Sequence, residues 1–140
     1  MRRDFLSKAE RSAVMGKIRS GNNTEFLFFE LLHKKKLRFK KHYSLVPGRP
    51  DAALPRLRIA IFLDGDFWHG RNFELWKDRL NSYWRDKILR NVQRDQRQRR
   101  HLRRMGWSVL RIWTGDLLRR PECCVAKIVR SMRRRKSILR

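Results

Sequence analysis

The first third of the chain alternates polar and apolar residues in the manner of two short helices. The first helix is predicted to begin at the capping box Ser7-Lys8-Ala9-Glu10 and to end near residue 19. The second is predicted to begin at Asn23 or Thr24, since either residue can cap a helix, and to carry a broad apolar face over residues 26–32. It ends in the lysines at positions 34–36, which complement the helix dipole.

The next apolar segments are short and predict three strands. They cover residues 39–43, 51–54 and 57–63, and a turn at Pro55-Arg56 separates the last two. Residues 57–63 are almost continuously apolar, which is typical of a central strand covered on both faces. Prolines and a glycine between residues 44 and 50 predict a loop before the second strand.

Helical periodicity returns between residues 81 and 105. Apolar residues recur there at three- or four-residue steps, and Asp95 and Arg99 lie in the same stripe. Gly106 ends this helix, residues 107–113 predict a strong strand, and Pro121 begins a last helix that runs to about residue 132. The order α-α-β-β-β-α-β-α predicts an α/β fold with a mixed central sheet flanked by helices.

Composition indicates one folded domain that binds a polyanion. The 140 residues fit a single domain by size, and 41% of them are hydrophobic. There are 37 Lys+Arg against 13 Asp+Glu, and the resulting net charge of +24 is spread along the whole chain, which favours nucleic acid over a membrane surface as the partner. No apolar segment approaches the roughly 20 residues of a membrane span, and the N-terminus lacks the apolar segment of a signal peptide. We therefore expect a cytoplasmic protein.

Two adjacent cysteines, Cys123 and Cys124, lie in the last predicted helix. Neighbouring cysteines rarely form a disulfide because the geometry is strained, and these two lack the C-x-x-C spacing of a zinc site. We expect both to be small buried side chains of that helix.

Two acids at the ends of neighbouring predicted strands indicate a metal site. Asp51 follows the turn Pro47-Gly48-Arg49-Pro50, and Asp64 follows the apolar strand. If these strands pair, both carboxylates come to one end of the sheet, where they can hold Mg²⁺ for phosphodiester hydrolysis. The alternative is that Asp51 caps the turn and Asp64 the strand end. His69 follows in a loop and has a pKa suited to taking a proton from water, although a loop histidine can also be merely hydrogen bonded.

Two further acids and two aromatic residues have open roles. Glu25, in the first turn of its helix, either interacts with the helix dipole or supports the metal. Asp95 lies in an apolar stripe, where a carboxylate needs a fixed partner such as His69 or an arginine. Phe67 and Trp68 either wedge between base pairs or form a small core under the loop. Structural roles are assigned to the other histidines and to the tryptophans that bracket the last strand: His33, His42, His101, Trp107 and Trp113.

An ordered series of motifs points to a known family. It comprises Pro47-Gly48-Arg49-Pro50-Asp51, Gly65-x-Phe67-Trp68-His69, Tyr83-Trp84-x-x-Lys87-Ile88-x-x-Asn91-x-x-x-Asp95 and Gly106-Trp107-x-Val109-Leu110, with Met15, Glu25 and Trp113 in fitting places. In this series the chain resembles the bacterial very-short-patch mismatch repair endonucleases, which belong to the PD-(D/E)XK nuclease superfamily. The similarity covers about residues 7–115, and the series is far more specific than any single motif.

The resemblance implies a restriction-endonuclease-like core and a Mg²⁺-dependent nick 5′ to the mispaired thymine of a T·G mismatch. Asp51 would be the central metal ligand, with the carbonyl of Leu63 beside it; Asp64 joins this set from its position at the end of the neighbouring predicted strand. His69 would be the general base and Glu25 a supporting acid. Asp95 would support the site as a partner of one of these groups.

The resemblance also implies contacts with double-stranded DNA. Phe67, Trp68 and Trp84 would enter the duplex beside the mismatch, and Met15 would probe it from the opposite groove. Met15 lies in an N-terminal segment, residues 1–22, that we expect to contact DNA. The same motifs add Lys87 and Asn91 as DNA-binding residues, and residues 133–140 form a basic tail. A cytosine methyltransferase or mismatch-repair pathway would be a partner, and the protein would be associated with the bacterial nucleoid.

The chain departs from the family at two places. Well-known members hold a structural zinc with cysteines and histidines, whereas the corresponding positions here are Asp66, Arg71 and Phe73, with Asp116 or Leu117 at the later one. We therefore predict a variant without zinc. Position 64 is Asp where the best-known members have His, which makes the predicted metal site more acidic.

Three functions are compatible with these residues. The first is a DNA endonuclease that nicks at a T·G mismatch. The second is a related nuclease of a restriction, defence or mobile-element system without mismatch specificity. The third is a catalytically idle DNA-binding module, against which the joint presence of Asp51, Asp64 and His69 argues.

Overall fold

The computed structural model describes residues 21–139, with side chains from Thr24 onwards. The first predicted helix and Met15 lie outside the described residues. Within the described range the helices are α1 (Gly21–Lys34), α2 (Phe73–Trp76), α3 (Ser82–Arg104), α4 (Thr114–Arg119) and α5 (Pro121–Ile138). The strands are β1 (Lys40–Lys41), β2 (Ala52–Leu54), β3 (Ile59–Asp64) and β4 (Ser108–Trp113), and single 3₁₀ turns cover Pro55–Leu57 and Lys77–Arg79.

The four strands form one mixed sheet in the order β1-β2-β3-β4. Strands β1, β2 and β3 pair antiparallel, and β3 pairs parallel with β4 through the long crossover that contains α3. The predicted α/β class with a mixed central sheet is therefore confirmed. The parallel register aligns Phe62 with Arg111 and Asp64 with Trp113.

Strand β3 is covered on both faces, as its continuous apolar sequence predicts. Ile59 and Ile61 are fully buried and pack in a large core with residues of α1, α4 and α5. Ala60 and Phe62 point to the other face, where they pack with Leu102 of α3. Because side chains alternate along a strand, Asp64 continues this second face and points toward α3. The last residue of the central strand thus carries a carboxylate into a covered part of the protein.

The boundaries of several elements differ from the prediction. Strand β1 has two residues instead of five, because His42 adopts a left-handed backbone (φ 47°) that cannot continue a strand. Helix α1 begins at Gly21, and Phe26 on its predicted apolar face is exposed. The short helices α2 and α4 were not predicted.

The last helix is longer than predicted: α5 continues to Ile138 instead of ending near residue 132, so most of the basic segment 133–140 is helical. Arg135 explains the extension: its guanidinium donates to the carbonyl of Leu57 at 2.8 Å and to that of Gly106 at 2.7 Å. On the same helix Cys124 is buried as predicted, whereas Cys123 is exposed. Within the described part of the chain, the helices are too short or too polar to cross a membrane.

Candidate active site

Asp51 lies at the start of β2 and is tied to the neighbouring central strand. Its Oδ2 atom accepts a hydrogen bond from the backbone N–H of Leu63 at 2.7 Å, so the carboxylate sits beside the end of β3. Burial raises the pKa of Asp51, against the lowering effect of the Leu63 hydrogen bond, and the charges of Asp64 and Glu25 raise it further. A carboxylate with a raised pKa beside another acid is one that a bound cation would stabilise.

Glu25 of α1 and His42 complete a group of metal-binding residue types around Asp51. One ligand atom from each of the three lies within 4.8 Å of the others. His42 Nε2 is 2.7 Å from Glu25 Oε1, yet the two are not aligned as a hydrogen bond. Among the described residues, Glu25 Oε1 is therefore a buried oxygen without a hydrogen-bond partner. We call Glu25, His42 and Asp51 the Asp51 cluster.

Asp64 lies in a different environment, although it ends the adjacent strand. The residue is 2% exposed, and its Oδ2 atom accepts a hydrogen bond from Arg99 Nη2 at 2.6 Å. Arg111 Nε lies 2.8 Å from the same oxygen as an ion pair, without hydrogen-bond alignment. Arg99 comes from α3 and stacks over the Phe62 ring, while Arg111 comes from β4 and is partly exposed. Burial raises the pKa of Asp64, and the charges of His69 and Arg99 oppose that rise.

His69 joins this second group through Asp95 of α3. Its Nδ1 atom is 2.6 Å from Asp95 Oδ2 and 3.6 Å from Asp64 Oδ1. With the carboxylate as acceptor, Nδ1 carries the proton and the Nε2 atom keeps its lone pair. The expectation that Asp95 has His69 as a fixed partner therefore agrees with the geometry. We call Asp64, His69, Asp95, Arg99 and Arg111 the His69 cluster.

The two carboxylates around His69 set its proton affinity. Burial lowers the pKa of His69, but the Asp95 hydrogen bond and the charges of Asp64 and Asp95 outweigh burial, so the pKa lies above its ordinary value of 6.5. Burial raises the pKa of Asp95, but the hydrogen bond and the charge of His69 outweigh burial. The pKa of Asp95 therefore lies below its ordinary value. The pair is thus an imidazole that accepts a proton readily and a carboxylate that stays ionised.

The clusters differ in their cationic partners. Within residues 24–139, the ion pairs of Asp51 and Glu25 include no lysine or arginine, and His42 is their basic neighbour. The His69 cluster instead contains two guanidiniums in contact with Asp64, and Arg111 also reaches Asp95 at 3.7 Å. Asp64, His69 and Asp95 also place ligand atoms within 4.8 Å of one another, but arginines contact these acids, so electrostatics favours a metal cation at the Asp51 cluster.

The loop that carries His69 is a compact series of turns. Backbone N–H groups of His69, Gly70 and Arg71 donate to the carbonyls of Gly65, Phe67 and Asp66. Gly70 has a left-handed φ of 67°, and a Cβ there would lie 2.6 Å from Val92 of α3, so only glycine fits.

Helix α3 also fixes this loop. Asn91 donates its side-chain N–H to the Trp68 carbonyl at 3.0 Å, which joins the loop to the helix. Asn81 caps the helix by accepting from the Trp84 backbone N–H at 3.0 Å. Sequence reasoning listed Asn91 among DNA-binding residues; the structure places its amide on the loop backbone.

An aromatic patch lies where the loop meets α3. The rings of Trp68 and Trp84 are 5.4 Å apart, and the Lys87 ammonium lies 5.3 Å and 5.5 Å from their respective centroids. Phe67 stacks on Trp76 at 5.6 Å and packs against a small buried core. This agrees with the alternative that Phe67 forms part of a small core under the loop. Trp68 and Trp84 are only partly buried, and Tyr83 beside them is 62% exposed.

At the positions where the family's well-known members hold zinc, charged residues pair with one another. Arg71 Nη1 lies 2.9 Å from Asp116 Oδ1 and 3.5 Å from Asp66 Oδ2, and its guanidinium lies over the Trp113 ring. Asp66 also accepts from the Gly115 backbone N–H at 3.1 Å. These contacts join the His69 loop to α4. Phe73 and Leu117, the other two positions, are buried apolar residues.

Three residues of the site were missed by the sequence reasoning. His42 was assigned a structural role, and its neighbours Glu25 and Asp51 are distant in sequence, so no local signal marked it. Arg99 and Arg111 did carry a signal, because each is a charge inside an otherwise apolar helix stripe or strand. A buried guanidinium of this kind requires an acidic partner.

Comparisons with known proteins identify the family. Residues 3–75 match the family described as DNA mismatch endonuclease Vsr. The chain is 40% identical over 118 residues to the type II nicking enzyme V.XorIIP of Xanthomonas oryzae pv. oryzae, which covers 81% of this chain and 86% of that protein. It is 31% identical over 134 residues to the type II nicking enzyme V.NmeDIP of Neisseria meningitidis serogroup C, covering 93% and 90%. It is 35% identical over 113 residues to the DNA mismatch endonuclease Vsr of Escherichia coli, covering 79% and 72%. The chain therefore belongs to the Vsr family of DNA nicking endonucleases, which has a PD-(D/E)XK-like nuclease fold.

Proposed function

We propose that the protein nicks one strand of duplex DNA at a T·G mismatch, with a divalent cation at the Asp51 cluster and His69 as the general base. One observation carries the assignment of roles. Two acids without an arginine or lysine partner lie next to a histidine–carboxylate pair whose acids are already neutralised. A site that binds a cation and a site that moves a proton are thus adjacent but chemically distinct.

The donor atoms of the Asp51 cluster fit a divalent cation. Carboxylate oxygens are the ligands that Mg²⁺ prefers, and the buried Glu25 Oε1 is a free acceptor among the described residues. In this proposal Asp51 and Glu25 hold the ion, and the Leu63 carbonyl, whose peptide already contacts Asp51, is a further ligand. A bound Mg²⁺ would polarise the phosphodiester and lower the pKa of a coordinated water.

His69 acts on the proton of the attacking water. Asp95 orients the ring by holding Nδ1, so the Nε2 lone pair is available to the water. In our proposal Asp64 interacts with this histidine and the arginines, in place of the direct metal contact expected from the sequence. Arg99 and Arg111 both contact its Oδ2 atom, and their positive charges disfavour a second cation beside this carboxylate.

The aromatic patch supports the proposed contact with DNA bases. Trp68 and Trp84 offer partly exposed rings, and Lys87 adds a positive charge beside them for the phosphate backbone. Phe67 braces Trp68 from the small core behind it. Met15, outside the described residues, is proposed to contact the opposite groove. In this view Asn91 assists DNA binding by fixing the loop.

The T·G mismatch as substrate rests on the family and on its relatives. One relative is named a DNA mismatch endonuclease, and the others cited above are named type II nicking enzymes. We extend the mismatch activity to this chain, together with an association with a cytosine methyltransferase or mismatch-repair pathway at the bacterial nucleoid. Deamination of a methylated cytosine would generate the T·G substrate.

End-labelled duplexes that differ in one base pair test this function. Duplexes with T·G or matched C·G are incubated with the protein in Mg²⁺ or in EDTA. We expect a Mg²⁺-dependent nick of the T·G duplex that is lost in Asp51→Ala. Equal cutting of both duplexes would contradict mismatch specificity and favour a restriction-associated nickase, and DNA binding without any cutting would favour an idle binding module. An ionic-strength series is not informative, because all three functions predict salt-sensitive binding.

A further inference from the structure

His42 is the unexpected member of the Asp51 cluster. Its Nε2 atom lies 2.7 Å from Glu25 Oε1, and one donor atom from each of His42, Glu25 and Asp51 falls within 4.8 Å of the others. The imidazole is 42% exposed, so solvent ions reach it without any opening of the fold. This arrangement adds a nitrogen donor to a site that otherwise offers carboxylate oxygens.

The fold holds His42 opposite Asp51 through main-chain contacts. The backbone N–H of His42 donates to the Asp51 carbonyl at 3.0 Å, directly beyond the pairing of β1 with β2. The Phe29 ring of α1 meets the imidazole edge-on at 5.8 Å and limits its rotation. The position of the ring is thus set by the strand register and by the helix that carries Glu25.

The contact between His42 and Glu25 does not satisfy the carboxylate. The two atoms are close, but their geometry is not that of a hydrogen bond, and Glu25 Oε1 has no other hydrogen-bond partner among residues 24–139. A buried carboxylate oxygen without a hydrogen-bond partner is one that a bound cation would stabilise. In the described part of the chain, no lysine or arginine pairs with Glu25 or Asp51 to fill that role.

We propose that His42 is a direct ligand of the active-site cation and makes this site prefer a transition dication, such as Mn²⁺ or Co²⁺, over Mg²⁺. The proposal rests on the proposed function for the location of the ion. Mg²⁺ favours oxygen ligands and exchanges them poorly for nitrogen, whereas imidazole binds transition dications more strongly. The Asp51 cluster would therefore accept Mg²⁺ for DNA cleavage but bind Mn²⁺ more tightly.

His69 is the other histidine near the proposed reaction. It belongs to the His69 cluster and not to the Asp51 cluster, so in our proposal it does not provide this nitrogen. Its Nδ1 atom is committed to Asp95, and the acids around it contact Arg99 and Arg111. A dication there would have to compete with two guanidiniums. Substitutions of His42 and of His69 should therefore give opposite results in a measurement that detects a nitrogen atom bound to the metal.

Pulsed electron paramagnetic resonance of Mn²⁺ bound to the full-length protein provides that measurement, because it detects a coordinated ¹⁴N nucleus. We compare the unaltered protein with His42→Asn, and Asn is chosen because it tolerates the left-handed backbone at this position (φ 47°). His101→Asn, at an exposed histidine of α3, is the matched control. We expect the ¹⁴N coupling to disappear in His42→Asn only. Persistence of the coupling in His42→Asn, or its loss in His69→Gln, would overturn the proposal.

Metal affinities measured without DNA complete the test. Mn²⁺ is titrated directly and Mg²⁺ by competition, and the ratio of the two affinities is compared between variants. Removing one ligand should lower the Mn²⁺-to-Mg²⁺ ratio by about tenfold or more in His42→Asn and leave it unchanged in His101→Asn. An unchanged ratio in His42→Asn would refute the role of His42 alone. Retention of Mn²⁺ binding in Asp51→Asn would instead refute the proposed location of the ion.

Discussion

Asp51 and Asp64 end neighbouring strands, yet we predict opposite effects of removing their charges on metal binding. The two changes are Asp51→Asn and Asp64→Asn, which keep the shape of each side chain. The measured quantity is the increase in the free energy of unfolding that Mn²⁺ causes, with each variant compared with itself in the absence of metal. This increment depends on metal affinity and is separated from any effect of the substitution on the metal-free fold.

The expected increments follow from the contacts of each acid. At a Mn²⁺ concentration 100 times the dissociation constant of the unaltered protein, the increment is about 2.7 kcal/mol. A unit charge 4 Å from a dication contributes about 8 kcal/mol at an effective dielectric constant of about 20, and regained hydration of the ion offsets part of this. If about half survives, Asp51→Asn weakens binding about 1000-fold, and the increment falls below about 0.1 kcal/mol.

In our proposal Asp64 does not touch the ion, and two guanidiniums at 2.6 Å and 2.8 Å neutralise its charge. We expect Asp64→Asn to weaken binding by about tenfold at most, which leaves an increment of about 1.4 kcal/mol.

Urea unfolding followed by tryptophan fluorescence, with and without Mn²⁺, measures both increments. Metal-free Asp51→Asn should be no less stable than the unaltered protein, because the raised pKa of Asp51 means that its ionised form is disfavoured in the fold at neutral pH. Loss of the increment in Asp64→Asn, together with its survival in Asp51→Asn, would refute our separation of the two clusters. It would assign the metal to Asp64 and Asp95.

Three further predictions concern the proton, the loop and the aromatic patch. The pH–rate profile should rise through a midpoint above 6.5, because the carboxylates raise the pKa of His69, and Asp95→Asn should move this midpoint to lower pH; an unmoved midpoint would contradict the pairing. Gly70→Ala should lower the free energy of unfolding in urea by about 2 to 4 kcal/mol through left-handed strain and overlap with Val92, and a loss below about 0.5 kcal/mol would contradict the close fit. Trp68→Ala should reduce affinity for a T·G duplex in a binding titration, whereas His69→Ala should slow single-turnover cleavage by about 10²- to 10⁴-fold with little change in affinity. If Trp68→Ala keeps both its affinity for the T·G duplex and its preference for T·G over C·G, Trp68 has only a packing role.

The parts of the fold that the sequence predicted well are those governed by local patterns. The continuous apolar run of β3 and the stripe of α3 correspond to elements that are buried in the manner expected. The errors lie in the ends of β1 and α5, which the local sequence pattern does not determine. His42 ends β1 early by its left-handed backbone, and the guanidinium of Arg135 extends α5 by bonding carbonyls of two other segments. Neither effect has a signature in the local sequence.

The same distinction applies to the candidate site. The placement of His69 beside Asp95 was predictable, because an acid in an apolar helical stripe requires a polar partner. The grouping of Glu25 with His42 was not, since it depends on how α1 packs beside the start of β2. Asp64 was predicted to be a metal ligand because it follows an apolar strand next to Asp51; its contacts with Arg99 and Arg111 form only when α3 and β4 pack beside that strand.

Because the chain is strongly basic, the absence of arginine partners from the Asp51 cluster, within residues 24–139, is significant for metal binding. With 37 Lys+Arg against 13 Asp+Glu, a buried acid in this protein can readily pair with a guanidinium, as Asp64 does. Such a partner is covalently part of the fold, so it cannot be exchanged for a metal ion without breaking a buried ion pair. Within the described residues, Asp51 and Glu25 have no such partner despite the surrounding excess of basic side chains. Under our proposal, a strongly basic nuclease can therefore attract DNA through its surface charge and still bind a dication, because Asp51 and Glu25 are kept apart from arginines that would take the place of the ion.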